Sequence, residues 1–264
     1  PGLYDAFGTP GFDDLYVGAE RDESIPRKVV KAQELILDLL KERAETGRLY
    51  IMNIDHCNEH SSFIDKVNMS NLCQEITLPT DPIQHIDDSS GEIALCILSA
   101  INVGKLRDLN DLEDLCDLAV RGLEELIDYQ DYPVIAAEIA TKARRSLGVG
   151  FIGLAHFLAK QGLKYDDQEA WVKVHELTEA FQYYLLKSSN AVAAEKGPCT
   201  DFNRTKYFHG ILPIDTYKRD VDEIANPGLN YDWEGLRVSI AKHGLRHSTL
   251  SAQMPSESSS VVSN

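Results

Sequence analysis

The sequence is poor in positive charge and in cysteine. Lys and Arg number 26 against 42 Asp and Glu, a formal charge of −16. Such a surface repels a phosphate backbone, so a nucleic-acid-binding module would need a locally basic face. The densest basic stretch, residues 142–145, is interrupted by Ala143 and sits in a helical pattern. The five cysteines, Cys57, Cys73, Cys96, Cys116 and Cys199, are odd in number and widely spaced. That usage excludes a disulfide framework and predicts a reducing, cytoplasmic setting in which each cysteine is either core or chemical. No apolar run reaches the roughly 18 residues that span a bilayer. The most apolar window, residues 147–158, is too short and contains His156. Pro1-Gly2-Leu3-Tyr4 lacks the basic start and small-residue cleavage site of a secretory leader. Gly-x-Gly-x-x-Gly, Gly-Lys-Ser/Thr and Gly-x-Ser-x-Gly motifs are missing, so dinucleotide, P-loop and hydrolase readings lack support.

What is present is ordinary globular usage, 43% hydrophobic and 26% charged over 264 residues. That length admits one large α/β unit or two small domains. The chain opens on Pro1 and stops after a serine run, as trimming, a split gene or an excised domain would produce. Residues 1–25, rich in Gly, Asp and aromatics, read as loop. A helix follows Pro26, with Ala32, Leu35, Ile36, Leu39, Leu40 and Arg43 on one stripe ending near Gly47. Residues 49–52 read as a short buried strand, 53–70 as a polar loop, and 72–78 and 93–101 as two short apolar stretches. A second helix spans about 109–129, with Leu112, Leu115, Cys116, Ala119, Leu123, Leu126 and Ile127 in a helical stripe. Asp131-Tyr132-Pro133 breaks it, and a third helical region runs from about 134 to 160, relaxed at Gly148 and Gly150. A long helix begins after Asp166-Asp167 with Trp171, Val174, Leu177, Thr178, Phe181 and Leu185 inward, and ends by Gly197-Pro198. A short helix at 213–223, a last one at about 232–242 and a candidate strand at 248–252 complete the pattern. Helices separated by recurring strands predict an α/β fold, its strands part of a larger parallel-type sheet or barrel.

Ser70-Asn71-Leu72-Cys73-Gln74-Glu75-Ile76 is the most informative stretch. If it is extended, alternation projects Asn71, Cys73 and Glu75 together. An amide there can orient a hydroxyl, a carboxylate can take a proton, and a thiol can exchange a hydrogen atom or an electron pair. The competing reading is an alternating strand with its polar face in water and Cys73 as filler. Cys96 lies in a run apolar enough for a buried strand, where inert packing is the default. A redox role there needs a second sulfur in bonding range. Cys116 falls on the apolar stripe of the second helix and reads as core, and Cys199 ends a helix. Asp55-His56-Cys57-Asn58-Glu59-His60 gathers metal-ligand types, but weak helix signals and the lack of a second ligand pair favour a polar loop over a zinc site. Met254-Pro255-Ser256-Glu257-Ser258-Ser259-Ser260 offers hydroxyls and backbone N–H groups that could cradle a phosphate, or is a flexible serine-rich tail.

Taken in order, these pieces resemble the catalytic-barrel part of the large subunit of class I ribonucleoside-diphosphate reductases. The residues that carry the resemblance are residues 70–76 and Gly91-Glu92-Ile93-Ala94-Leu95-Cys96, then Gly244-Leu245-Arg246-His247-Ser248-Thr249-Leu250 and residues 254–259. Gly210-Ile211-Leu212-Pro213-Ile214-Asp215-Thr216-Tyr217 and Leu126-Ile127-Asp128-Tyr129-Gln130 are similar to that family as well. The resemblance covers essentially the whole chain. It implies a helix-rich part of a ten-stranded α/β barrel with a central finger loop, residues 1–264 forming the C-terminal part of that domain.

The resemblance also implies roles. Cys73 becomes the transient thiyl radical that takes the ribose 3′ hydrogen, Glu75 the base at the 3′ hydroxyl, and Asn71 the holder of the hydroxyls. Leu72 and Gln74 join them around the substrate, Cys96 is half of the reducing dithiol, and Pro255, Ser256, Glu257, Ser258 and Ser259 bind the diphosphate. No metal or cofactor is expected on this chain. The implied partners are the rest of the large subunit, a metal-containing small subunit that generates the radical, and thioredoxin or glutaredoxin as reductant. Nucleic acid and membrane are not among them. The family's partner for Cys96, the nucleotide-binding cone, the ATP and deoxynucleotide effector sites, the relay tyrosines and a C-terminal cysteine pair fall outside residues 1–264. The chain alone is therefore expected not to turn over, and to be poorly soluble or obligately paired, because a part-barrel leaves edges and apolar faces uncovered. The alternatives are a glycyl-radical enzyme, for which the sequence shows no glycine-radical motif, and a non-catalytic partner-binding subunit with metal at His56, Cys57 and His60.

Overall fold

The computed structural model describes residues 2–95 and 97–263. Its helices are α1 (Leu3–Ala6), α2 (Phe12–Arg21), α3 (Ala32–Thr46), α4 (Ile54–His60), α5 (Asp111–Tyr129), α6 (Ile135–Arg144), α7 (Leu154–Ala159), α8 (Gln168–Lys196), α9 (Pro213–Thr216), α10 (Trp233–His243) and α11 (Glu257–Ser263). Strands β1 (Leu98–Asn102) and β2 (Gly148–Ile152) pair in parallel, Leu98 opposite Gly148 and Asn102 opposite Ile152. On the other side of β2, Ser251 bridges Val149 in parallel, with Val149 N–H donating to Leu250 O (2.8 Å) and Ala252 N–H to Val149 O (3.1 Å). Parallel neighbours require long crossovers, and helices supply both of them. The expected α/β character is met, while the candidate strand at 248–252 is present only as a single-residue bridge at Ser251. Among the described residues the sheet proper has two strands.

Helix α5 shows why this fold forms. Leu112, Cys116, Val120, Leu123 and Ile127 recur at three and four and are buried, while Leu115 and Leu126 of the expected stripe are exposed. Asp111, Glu113 and Asp114 occupy its first turn, where the helix dipole favours negative charge. Helix α8 lies against it and buries Leu177, Phe181, Leu185, Leu186 and Val192, whereas Trp171 and Thr178 face outward. In the core, Glu124 of α5 accepts from Arg145 Nε (2.7 Å), Arg246 Nε (2.7 Å) and His247 Nε2 (3.1 Å). Ser189 of α8 completes the knot at His247 Nδ1 (2.9 Å). This cluster ties α5, α8, the entrance to β2 and the segment at 246–247 together.

Several sequence expectations are corrected. Residues 1–25 hold α1 and α2 rather than loop, and residues 53–70 contain α4. The third helical region is interrupted: α6 ends at Arg144, Arg145 takes a left-handed backbone (φ 48°), and β2 follows. The glycines that relax it are strand residues. A Cβ on Gly148 would meet Leu98 Cδ2 at 2.5 Å, and one on Gly150 would meet the Ala252 carbonyl and Met254 Cε. Glycine leaves room at Gly150 for the Ala252 backbone and at Gly148 for the Leu98 side chain. Residues 49–52 form no strand, and Tyr50 and Ile51 are exposed. The helix at 213–223 is split into α9 and a 3₁₀ turn at Arg219–Glu223. No helix of the described residues is long and apolar enough to cross a membrane.

Candidate active site

The segment around Cys73 is a tight turn, not the extended strand that alternation implied. Gln74 N–H donates to Asn71 O (3.2 Å), and Gln74 itself sits at φ 62°, a conformation that costs a non-glycine residue energy. The base of the turn is closed by Asn71 N–H to Ile76 O (3.4 Å) and Ser70 Oγ–H to Ile76 O (2.7 Å). Asn71 Oδ1 accepts from Ile76 N–H at 3.1 Å. The shared face for Asn71, Cys73 and Glu75 is thus overturned: the Asn71 amide oxygen braces the loop, while Leu72 and Cys73 stand exposed at its corner. A period-two pattern in sequence does not require a strand when the side chain of an Asn can substitute for a ladder partner.

Glu75 turns the other way. Its carboxylate lines a cavity of about 40 Å³ with Ser146, Thr249 and Ser251, and Oε2 is buried with no hydrogen-bond partner in the protein. Asn71 and Ile76 line a neighbouring cleft of about 110 Å³. A buried carboxylate oxygen without a partner is unusual, because buried polar atoms are almost always paired; the hydroxyls of Ser146 and Ser251 are themselves engaged, with Ser248 Oγ and Gln182 Oε1. A larger cavity of about 330 Å³, lined by Leu106, Phe157 and Lys160 among others, includes none of the predicted site residues.

The predicted diphosphate-binding residues follow the segment paired with β2. Ser256 is half-buried before α11, Ser256 O accepts from Ser260 N–H (2.8 Å), and Pro255, Glu257, Ser258 and Ser259 are exposed. Strand β2 relates this run to the turn. Gly148 lies against Ile76 at the base of the turn, and Gly150, on the same strand face, lies against Met254. The two contacts are about 7 Å apart along the strand.

The other cysteines separate by burial. Cys116 and Cys199 are buried, and loss of solvation pushes each thiol up to about 12. Cys57 is half-buried, its thiol raised first by burial and then by Asp55. Among the four described cysteines Cys73 alone is exposed. Cys96 lies outside the described residues. His56 and His60 do share a face of α4, with ring centroids 6.2 Å apart, but His60 Nδ1 is engaged with Thr216 O. Among the described residues no group of three or more His, Cys, Asp or Glu side chains gathers as a metal site.

Sequence reasoning missed Ser146, Thr249 and Ser251 as companions of Glu75. It also gave no sign that Arg144 and Arg145 are buried, both paired with carboxylates. Glu92, Glu124 and Asp65 supply those carboxylates from distant parts of the chain, so no local pattern announces the pairing.

A family model for the ribonucleotide reductase barrel domain matches residues 1–264. The ribonucleoside-diphosphate reductase subunit alpha of Haemophilus influenzae is 56% identical over 269 residues, covering 100% of this chain and 36% of its own length. The corresponding subunit of Enterobacteria phage T4 is 43% identical, over 96% of this chain and 33% of its own length. The ribonucleoside-diphosphate reductase large subunit of Danio rerio is 31% identical, over 99% of this chain and 32% of its own. The chain spans about a third of the length of these curated relatives. Matched from end to end, it belongs to the ribonucleotide reductase barrel-domain family.

Proposed function

We propose that residues 1–264 supply the C-terminal part of the catalytic barrel of a reductase large subunit that converts ribonucleoside diphosphates to 2′-deoxyribonucleoside diphosphates. The observation that carries this reading is the exposed Cys73 at the corner of a turn braced by Asn71, followed two residues on by Glu75 with a buried carboxylate oxygen that has no partner in the protein. Family membership supplies the reaction class. In this reading β1, β2 and the segment at 249–252 are three neighbours of a ten-stranded barrel, and the Cys73 turn is the tip of its finger loop.

Each residue type has a balanced part. A Cys73 thiyl radical takes the hydrogen atom from C3′, leaving a thiol on the protein and a radical on the sugar. Glu75 takes the proton of the 3′ hydroxyl, and Asn71, through the amide N–H groups not spent on the turn, holds the sugar hydroxyls. The 2′ hydroxyl then leaves as water. The proton for that water and the hydrogen that replaces the hydroxyl at C2′ come from the thiols of Cys96 and a second cysteine outside residues 1–264, which give two electrons and become a disulfide. Glu75 returns its proton to the 3′ oxygen, and the Cys73 thiol returns the hydrogen atom to C3′ and becomes the thiyl radical again. Leu72 and Gln74 flank the sugar, while Pro255, Ser256, Glu257, Ser258 and Ser259 take the diphosphate through hydroxyls and N–H groups. The partners in this scheme are the remaining large-subunit segments, a radical-generating metal-containing small subunit, and thioredoxin or glutaredoxin to reduce the disulfide. ATP and deoxynucleotides would regulate through segments outside this chain.

The test is a chimera. Replacing the matching segment of the Haemophilus influenzae alpha subunit with this chain is expected to give a large subunit that reduces a ribonucleoside diphosphate with its small subunit and dithiothreitol. The 264-residue chain alone is expected to show no turnover under the same conditions. Turnover by the chain alone, or a correctly assembled chimera that does not turn over, contradicts the reading.

A further inference from the structure

The loop that carries Cys73 is held at points the proposed chemistry does not use. Asn58, in the middle of α4, accepts from Val67 N–H at 2.8 Å and donates to Val67 O at 2.9 Å, while its other amide hydrogen goes to Ile54 O at 2.8 Å. Both backbone groups of Val67, a fully buried residue, are thereby fixed as a strand partner would fix them. Three residues later the turn begins. Farther from the tip, Asp65 and Glu92 mark the two ends of the excursion, and two arginines bridge them. Arg144 Nε donates to Glu92 Oε2 (2.8 Å), and its Nη2 lies 3.0 Å from Asp65 Oδ2, an ion-pair contact without hydrogen-bond geometry. Arg204 Nε lies 2.8 Å from the same Asp65 oxygen, and its Nη1 2.8 Å from Glu92 Oε1. Asp201 adds a third carboxylate 3.0 Å from Arg204. The Arg144 side chain is 4% exposed and that of Glu92 14%, so this pair lies largely out of water, where charge interactions are screened least, while Arg204 and Asp65 are partly exposed.

We propose that Asn58, Arg144 and Arg204 are positioning residues that fix the Cys73 turn by clamping the neck of its loop. The inference rests on the reading of Cys73 as the reacting thiol. Ser70 is five residues from Asp65, a reach of at most about 17 Å, and Val67 divides even that span. Freedom at the neck therefore passes directly to the turn. Loosening would cost catalysis because hydrogen-atom transfer needs the sulfur held at contact distance from the sugar. It also explains the Asp55–His60 cluster: Asn58 is committed to backbone, and the segment serves as a mount rather than a metal site.

Amide hydrogen exchange on the chimeric large subunit, read over the segment this chain supplies, tests the clamp independently of activity. Arg204→Met and Asn58→Ala are expected to speed exchange at Gln74 and Ile76 about tenfold or more while α8 amides at Leu177, Leu185 and Leu186 stay unchanged. Arg204→Lys restores most of the protection. Arg121→Met, which breaks a charge cluster between α5 and α8, leaves the turn unchanged. If Asn58→Ala fails to fold, Arg204, which is partly exposed, still decides the matter. In the chimera, Arg204→Met lowers kcat about tenfold with KM unchanged. No change at the turn, or a uniform rise across the molecule, overturns the proposal. A localised rise together with full activity of a Cys73→Ser chimera would instead leave the clamp standing and remove the chemical reading.

Discussion

Cys73→Ser in the chimeric large subunit is expected to lower turnover by about 10⁴-fold or more while assembly with the small subunit is unchanged. Serine is nearly isosteric, and the residue is exposed at the turn, so packing has little to lose. Chemistry has everything to lose. An oxygen–hydrogen bond is much stronger than a sulfur–hydrogen bond, so an alkoxyl radical could not be formed by a relay poised to oxidise a thiol. Cys116→Ser and Cys199→Ser provide the contrast. Both sites are buried and unreactive, so these variants are expected to affect stability rather than the chemical step. Turnover and size-exclusion chromatography on the same samples separate the two effects. A Cys73→Ser chimera retaining the parental rate would end the thiyl assignment.

The second large effect is expected at Glu124. Burial pushes its carboxyl up, but hydrogen bonds from His247, Arg145 and Arg246 outweigh that and bring it from 4.5 to about 2. His247 is pushed below its ordinary value chiefly by burial, so at neutral pH its Nε2–H donates to Glu124 while Nδ1 accepts from Ser189. Removing the carboxylate leaves Arg246 without its carboxylate partner and Arg145, a buried guanidinium, with Asp128 as its remaining one. Glu124→Ala is therefore expected to cost about 3–5 kcal/mol, lowering Tm by roughly 10 °C. Because the folded-state value is the lower one, the stabilisation is fully present above 4.5 and is lost as pH falls toward 2. The deficit of the variant should accordingly shrink over that window. Denaturant melts from pH 7 down to 3 measure it. A deficit independent of pH would mean that cavity formation, rather than charge, sets the cost. Glu138→Gln, which removes an exposed pair with Lys142, should not move the melt measurably.

The two arginines at 144 and 145 show where sequence reading reaches its limit. Period and capping made α5 and α8 legible, because an amphipathic stripe is written locally and burial follows from it. Burial of an arginine is not written locally. It depends on Glu124, Asp65 and Glu92 arriving from elsewhere, and without them two adjacent cations look like solvated surface. Helix α4 was invisible for the same reason. Its sequence carries weak helix signals, and its last carbonyls are held by Lys206, whose ammonium reaches Asn58 O (3.1 Å) and Glu59 O (2.6 Å). Parallel strands buried on both faces leave only short apolar runs, which is why β2 merged into a helical region. At the turn, residue types pointed to the chemistry while alternation misdirected the geometry. Asn71 braces a turn that leaves Cys73 exposed while Glu75 lines a separate cavity, so no strand face aligns the three.

Helix α3 leaves Leu35, Ile36, Leu37 and Leu40 exposed, each at 50% or more. Four exposed large apolar side chains spread around a single helix are uncommon on a free surface. It accords with a chain spanning about a third of its relatives' length.

The most direct test of the central claim follows the atom that Cys73 is proposed to remove. In the working chimera, substrate carrying deuterium at the ribose 3′ carbon should compete poorly against unlabelled substrate, since breaking that bond is the act assigned to the sulfur. Equal consumption of the two, with turnover otherwise normal, would mean that the reaction does not begin at C3′, and the role given to Cys73 would be wrong.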